Sequence, residues 1–333
     1  MSVRIRSKGG LATSLLGGAL LAAAGAPAPA AAVTYPESVS SWYMNSVDPG
    51  THYSMGCALG ASLAGGAAPQ DALVILDYGQ AQLRGGVYGT YAFGGRGYVT
   101  VDQIRAAVVE YGHGFWACTG ANTAAHVRIG VGTSNYANFG RSLGMTDADV
   151  AAFGGAWATM VNAANSAMGG LGYASQADAV GASDIELSWG TAATARGWLA
   201  GYAGAYQWPM YDYGDAAGCR WSGTTATAGN CNNGWRQSDV YHVGWGAPPA
   251  YAVPEIYATN GVNAQQWQQV SKWGTLNGGS RIWFTGSMTQ AGACAQTGGC
   301  SGVNNSPATG WTFLVNACAA DPATALGGLR YAA

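Results

Sequence analysis

The sequence predicts an α/β fold, a somewhat irregular (β/α)8 barrel of the TIM type, with an open doubly wound sheet as the alternative. Two observations carry the prediction. Eight short apolar runs alternate with helix-like stretches over roughly 300 residues, as such a barrel requires. Most of these runs are continuous rather than alternating, as strands buried on both faces should be.

Ser40–Asn45 is the first expected strand, and a small-residue helix follows over Tyr53–Ala64. Leu73–Asp77, rich in Val, Ile and Leu, is the second. A Gly- and Tyr-rich excursion from Gly85 to Gly97 leads to a helix over Val101–Tyr111. Val127–Val131 is the third strand, before a long helix over Asp147–Met168. Asp184–Leu187 is the fourth, before a helix over Ala192–Tyr202. Trp208–Tyr213 is the fifth, and the loop bearing Cys219 and Cys231 follows it. Val240–Val243 makes a sixth strand and Ala252–Tyr257 a seventh. A helix carrying Gln265, Trp267, Val270 and Trp273 precedes the eighth, Arg281–Phe284. A Cys-bearing loop and a last helix over Thr309–Ala319 complete the order. Pro209 and Pro254 fall inside proposed strands five and seven, where each removes a ladder donor. The link from strand six to seven is also too short for a regular helix. No sequence repeat or linker divides the rest of the chain, so residues 33–333 read as one domain.

Residues 1–32 read as a leader. Arg4, Arg6 and Lys8 precede the apolar run Leu11–Ala24, and Ala30-Ala31-Ala32 matches a small-residue cleavage site. The mature chain is expected to start near Val33 and to be secreted from a bacterium. The leader takes three cations and no acids, so 14 basic against 16 acidic residues become 11 against 16, and Lys272 is the one lysine left. A net negative, weakly charged chain excludes a nucleic-acid partner. No later stretch is apolar enough to span a membrane, and a monomer is expected. Seven cysteines suit an oxidising compartment. Cys219 with Cys231 and Cys294 with Cys300 are the local pairs, and one of Cys57, Cys118 and Cys318 is left over. Cys118 with His113 and His126 lacks the spacing of a zinc site, and no metal or cofactor is expected.

In a barrel the chemistry lies at the C-terminal strand ends. Asp77 ends strand two, Asp184 and Glu186 lie on strand four, Asp212 on strand five and Glu255 on strand seven. Side chains alternate along a strand, so Asp184 and Glu186 share one face, about 6.6 Å apart, with Ile185 and Leu187 on the other. Two acids crowded in a partly dry site acquire different pKa values, so one can donate a proton while the other stays ionised. Glycoside hydrolysis needs that division. Glu186 is the expected general acid and Asp184 its orienting partner. Glu255 is the rival nucleophile or base, and Asp77 a further catalytic candidate. Trp42, Asn45, Asp212, Trp189, Trp245 and Tyr257 are the substrate-binding candidates, since flat aromatic faces stack on sugar rings while amides and acids bond hydroxyls. The bland reading of each acid is a structural bond to Arg128, a tyrosine or the backbone; the bland reading of each tryptophan is core packing. No phosphate-binding loop of the G-x-x-x-x-G-K-[ST] type is present.

The leader, the barrel order and the Asp184-Ile185-Glu186 triplet resemble secreted barrel glycoside hydrolases, and the D-x-E triplet looks most like family-25 muramidase-type lysozymes. That resemblance implies a catalytic pair at Asp184 and Glu186. The chain departs from the family at the first strand, where Ser41-Trp42-Tyr43-Met44-Asn45 carries no acid. Acids on strands four and seven are similar to the pair of retaining glycosidases. The chain also looks similar to secreted actinobacterial proteins with a glycosidase-like barrel. The expected function is therefore a secreted carbohydrate-active hydrolase whose partner is a polysaccharide or cell-wall glycan. The alternatives are a non-catalytic glycan- or envelope-binding barrel and a secreted interaction protein.

Overall fold

The computed structural model describes residues 37–66, 70–95, 97–120, 122–291, 294, 300–326, 331 and 332. The expected leader lies outside them. Eight strands lie in one parallel path: β1 (Glu37–Tyr43), β2 (Gln70–Arg84), β5 (Ala125–Ser134), β6 (Ala177–Asp184), β7 (Met210–Asp212), β8 (Ala250–Ala252), β9 (Gly286–Ser287) and β10 (Tyr331–Ala332). β10 lies between β1 and β9. Backbone bonds also run from Thr285 N to Ala252 O (2.9 Å), from Met288 N to Pro254 O (2.9 Å) and from Ile256 N to Met288 O (2.8 Å). The Gly- and Tyr-rich excursion is an antiparallel extension: the long β2 pairs with β3 (Val87–Ala92), which pairs with β4 (Gly97–Thr100).

Helices connect the strands, and their starts are written in the sequence. α2 (Val101–Cys118) begins at Thr100, whose hydroxyl accepts the Gln103 N–H while Gln103 reaches back to the Thr100 N–H. α3 (Asp147–Leu171) repeats the device with Thr146 and Asp149, and α4 (Ala192–Ala203) starts at Thr191. α1 (Pro49–Leu63) starts at Asp48, with Pro49 in its first turn. α1 packs on α2 so closely that a Cβ on Gly56 or Gly114 would overlap a backbone carbonyl of the other helix, and the Cys57–Cys118 disulfide joins the pair. α5 (Gln237–Tyr241), α6 (Val262–Leu276) and α7 (Pro307–Ala319) complete the order.

The strand faces separate two apolar clusters. Ala72, Val74 and Leu76 join the large cluster with the helices, whereas Leu73 and Ile75 join Val180, Ala182, Tyr211, Tyr213, Val253 and Met288 on the opposite face. That is the period-2 alternation of a sheet apolar on both sides. At one end of this second face Arg128 grips Asp178 with two bonds (2.7 and 2.8 Å) and reaches Tyr211 at 3.2 Å.

Several expected elements need correction. Val240–Val243 is not a strand: Val240 ends in α5 and Val243 in the wide turn after it, and both are buried. Their three-residue spacing is a helical period. Arg281–Phe284 precedes β9 rather than forming a strand; Ile282 N bonds the Ser271 hydroxyl at 2.9 Å and the Arg281 guanidinium covers the Trp283 ring. The segment expected as the seventh strand therefore supplies the sixth of the path. The eighth is β10, two residues long and invisible in the sequence pattern. The fourth strand ends at Asp184 instead of starting there, because the weakly β-prone Ala-Asp-Ala-Val-Gly-Ala-Ser-Asp segment is wedged between β5 and β7. Pro209 and Pro254 flank β7 and β8, so neither interrupts a ladder.

The disulfides are Cys57–Cys118, Cys219–Cys231 and Cys294–Cys300, with Cys318 free and buried. Cys118 is thus no metal ligand; His113 pairs with Glu110, and His126 with Asp178. Three disulfides suit an oxidising compartment. Among the described residues, no helix is long and apolar enough to cross a membrane.

Candidate active site at the C-terminal strand ends

The parallel register brings the acids to one level. Tyr43 lies opposite Asp77, and Ser134 opposite Asp184. Beyond β6 the two-residue alternation continues: Ile185 and Leu187 are buried in the large core, which turns Asp184 and Glu186 to the other side. One oxygen each of Asp184, Glu186 and Glu255 lies within 4.8 Å of the others. Such a trio of oxygens could hold a hard divalent ion.

The loop after β6 is held rigidly. Asn135 is fully buried; its Nδ2 donates to the Glu186 carbonyl (2.8 Å) and its Oδ1 accepts the Glu186 N–H (3.1 Å). Asp215 accepts the Leu187 N–H at 3.1 Å, Asn233 donates to the carbonyls of Leu187 and Gly190, and the Trp235 indole also donates to Gly190. Every polar group of the Glu186 peptide is therefore fixed by its neighbours. On the other side, Ala137, Asn138 and Phe139 are three successive residues with φ near +50°, followed by Gly140. A left-handed turn costs an L-residue about 1–2 kcal/mol. The cost is met by packing: Phe139 is fully buried and stacked on Trp198 at 5.1 Å, while Asn138 Oδ1 accepts the Thr191 N–H at 2.9 Å.

Burial governs the electrostatics. It pushes Asp77 up to about 6, against bonds from the Gly79 N–H and the Tyr213 hydroxyl that favour its charge. It pushes Glu186, which stays partly open to solvent, up to about 7, with Asp215 adding to the effect. Asp184 and Glu255 lie well above the usual carboxylate range, first by burial; the charge of Glu255 then adds most for Asp184, and that of Glu186 for Glu255. The Tyr257 hydroxyl donates to Glu255 and opposes that rise. Asp184 Oδ1 is buried without a protein hydrogen-bond partner among the described residues. None of Asp77, Asp184, Glu186 and Glu255 pairs with a lysine or arginine there. The bland reading in which Arg128 neutralises one of them fails, because Arg128 serves Asp178.

Two cavities meet at these acids. A small one of about 20 Å³ is lined by Trp42, Asp77, Asp184, Tyr213, Glu255 and Tyr257. A cleft of about 490 Å³ opens beside it and shares Tyr43 and Asp184 with it. Of the binding candidates, Trp42 and Tyr257 line the first, and Trp189 lines the second against Tyr136. Asn45 is exposed next to Gly94, at the edge of that cleft. Two candidates fall elsewhere. Asp212 alternates with the cavity-facing Tyr213, so its carboxylate lies on the helix side, near Gly244 and bonded by the Gly214 N–H. Trp245 stands where β8 begins, against Tyr251 and bonded to Ser280, lining a separate hollow at the opposite strand ends. Sequence reading missed Tyr43, Tyr91, Phe93, Tyr136 and Tyr213. Only Tyr213 carried a signal, its two-residue spacing from Tyr211. No family model, curated protein or solved structure matches the chain.

Proposed function

We propose that this chain is a secreted glycoside hydrolase working through Glu186 and Glu255. The observation that carries the reading is the convergence of Asp184, Glu186 and Glu255 within 4.8 Å, the first and last buried and Glu186 half-buried, without a cationic partner among the described residues. Glu186, with its carboxyl held near neutrality and partly open to solvent, is the acid. It protonates the leaving glycosidic oxygen as the C1–O bond breaks. Glu255, which must be ionised to bond C1, is the nucleophile; burial disfavours that form, and the Tyr257 hydroxyl supports it in part. Water, deprotonated by Glu186, then releases the sugar. Oxygens within 4.8 Å suit this retaining course; an inverting one needs about 6.5–9.5 Å for an intervening water. Asp184 orients the pair, or the amide of an N-acetylated sugar.

The reading takes the sheet as a closed (β/α)8 barrel. Support comes from β10 lying between β1 and β9, from the backbone bonds of 285–288 to 252–256, and from a strand order that follows the chain without the reversal of a doubly wound sheet. One observation favours the rival, a glycan-binding barrel without catalysis: the cavity over Glu255 is only about 20 Å³, too small for a sugar ring. Reducing-sugar release from peptidoglycan, chitin and neutral plant and bacterial glycans separates the two. Wild type should release sugar, while Glu186→Gln and Glu255→Gln, folded as judged by circular dichroism, should not. Silence of the wild type across the panel, or full activity of both variants, would refute hydrolysis by these acids.

A further inference from the structure

The cleft beside the acids is built from two features that the strand ladder does not require, the β3–β4 extension and the left-handed turn. Tyr91 and Phe93 come from the first, Tyr136 from the edge of the second, and Trp189 from the loop after β6. Phe93 packs on Tyr43 at 4.6 Å and Tyr136 meets Trp189 edge-on at 5.5 Å, so the lining rings brace one another in pairs. Gly79, Gly94 and Gly95 line the cleft, and each has a positive φ that other residues rarely adopt. Gln80, Ser134 and the tyrosine hydroxyls supply hydrogen bonds. Among the described residues no lysine, arginine or histidine lines the cleft, and its inner end is Asp184. Backbone strain of this kind persists where the surrounding structure over-determines it, and it gathers at ligand sites.

We propose that this cleft is the subsite for an uncharged oligosaccharide, stacked by its C–H faces on Trp189 and Tyr91 and leading one glycosidic bond to Asp184. This rests on the glycosidase reading for what happens at that bond, but not for the binding. Walls that are aromatic, neutral and flanked by acids suit sugars that carry hydroxyls or acetamides. A glycan bearing carboxylates or sulfates would bring its charge to a group of buried acids, with no cation in the cleft lining among the described residues; Arg84 stands over the Tyr91 ring at 5.8 Å without lining the cleft. A volume of about 490 Å³ suits a short oligosaccharide rather than a single ring.

Calorimetric titration of the full chain tests it, with neutral chito-, cello- and manno-oligosaccharides against oligogalacturonates of matched length. Each is repeated on Trp189→Ala, Tyr91→Ala and Trp245→Ala, with folding checked by circular dichroism. At least one neutral series should bind at least tenfold more tightly than the acidic one. Trp189→Ala and Tyr91→Ala should each weaken it about tenfold, and Trp245→Ala should leave it within twofold. Equal or tighter binding of the acidic series, no binding of any neutral series, or loss on Trp245→Ala instead of Trp189→Ala would overturn the proposal. Should Trp189→Ala fail to fold, Tyr91→Ala decides. Binding without sugar release by the wild type would remove the glycosidase reading and leave this one standing. Release with unchanged KM in both cleft variants would do the reverse.

Discussion

Asp212→Asn should make the protein more stable, and increasingly so as the pH rises. Asp212 is buried, with one carboxylate oxygen bonded by the Gly214 N–H and the other beside Gly244, and burial pushes its pKa up to about 8. In the unfolded chain it titrates near 3.8. The folded state therefore holds this proton over a range in which the unfolded state has lost it. Stability from this group is complete below about pH 3.8, falls as the pH rises towards about 8, and is flat above. Each unit is worth about 1.4 kcal/mol, so the full shift sets a ceiling of about 6 kcal/mol. Relaxation and water entry reduce such penalties severalfold, and we expect about 2 kcal/mol. Asparagine keeps the acceptor for Gly214 and never ionises. In thermal unfolding, Asp212→Asn should exceed wild type by about 3 °C at pH 8 and match it closely at pH 4. A gain independent of pH, or a loss at pH 8, would refute the assignment of Asp212 as a protonated buried acid outside the cavities.

Three further outcomes follow from the same geometry. If Glu186 is the acid, kcat should fall about tenfold per pH unit above about 7, because its proton must be present, and a rate rising through pH 8 would exclude it. Asn135→Ala removes both bonds to the Glu186 peptide; denaturant titration should show a loss of about 1–3 kcal/mol, and kinetics should show kcat falling more than KM rises. Replacing Cys57 and Cys118 by serine should cost about 2–4 kcal/mol, while Cys318, buried and with its thiol pushed up to about 12, should react with thiol reagents only after unfolding.

Periodicity and composition were enough for the α/β class, for the helices near Val101, Asp147, Ala192 and Val262, and for the two local disulfides. These depend on contacts between residues close in sequence: a capping threonine, a three- or four-residue apolar stripe, a pair of cysteines 12 or 6 apart. The sharing of one side by Asp184 and Glu186 was legible for the same reason, since alternation is a property of extended backbone. The pairing of Glu255 with them was not, because it depends on which strands are neighbours. Asp212 and Trp245 were misplaced for a related reason: whether a residue at a strand end faces the cavity turns on register and on which end of the strand it occupies. The aromatic cleft needed the tertiary structure altogether. Its walls come from segments near 43, 91, 136 and 189, and its left-handed turn is held by Trp198 and Thr191, residues far along the chain. Local sequence determined the elements and the chemistry they carry; packing of distant segments decided which of those groups meet.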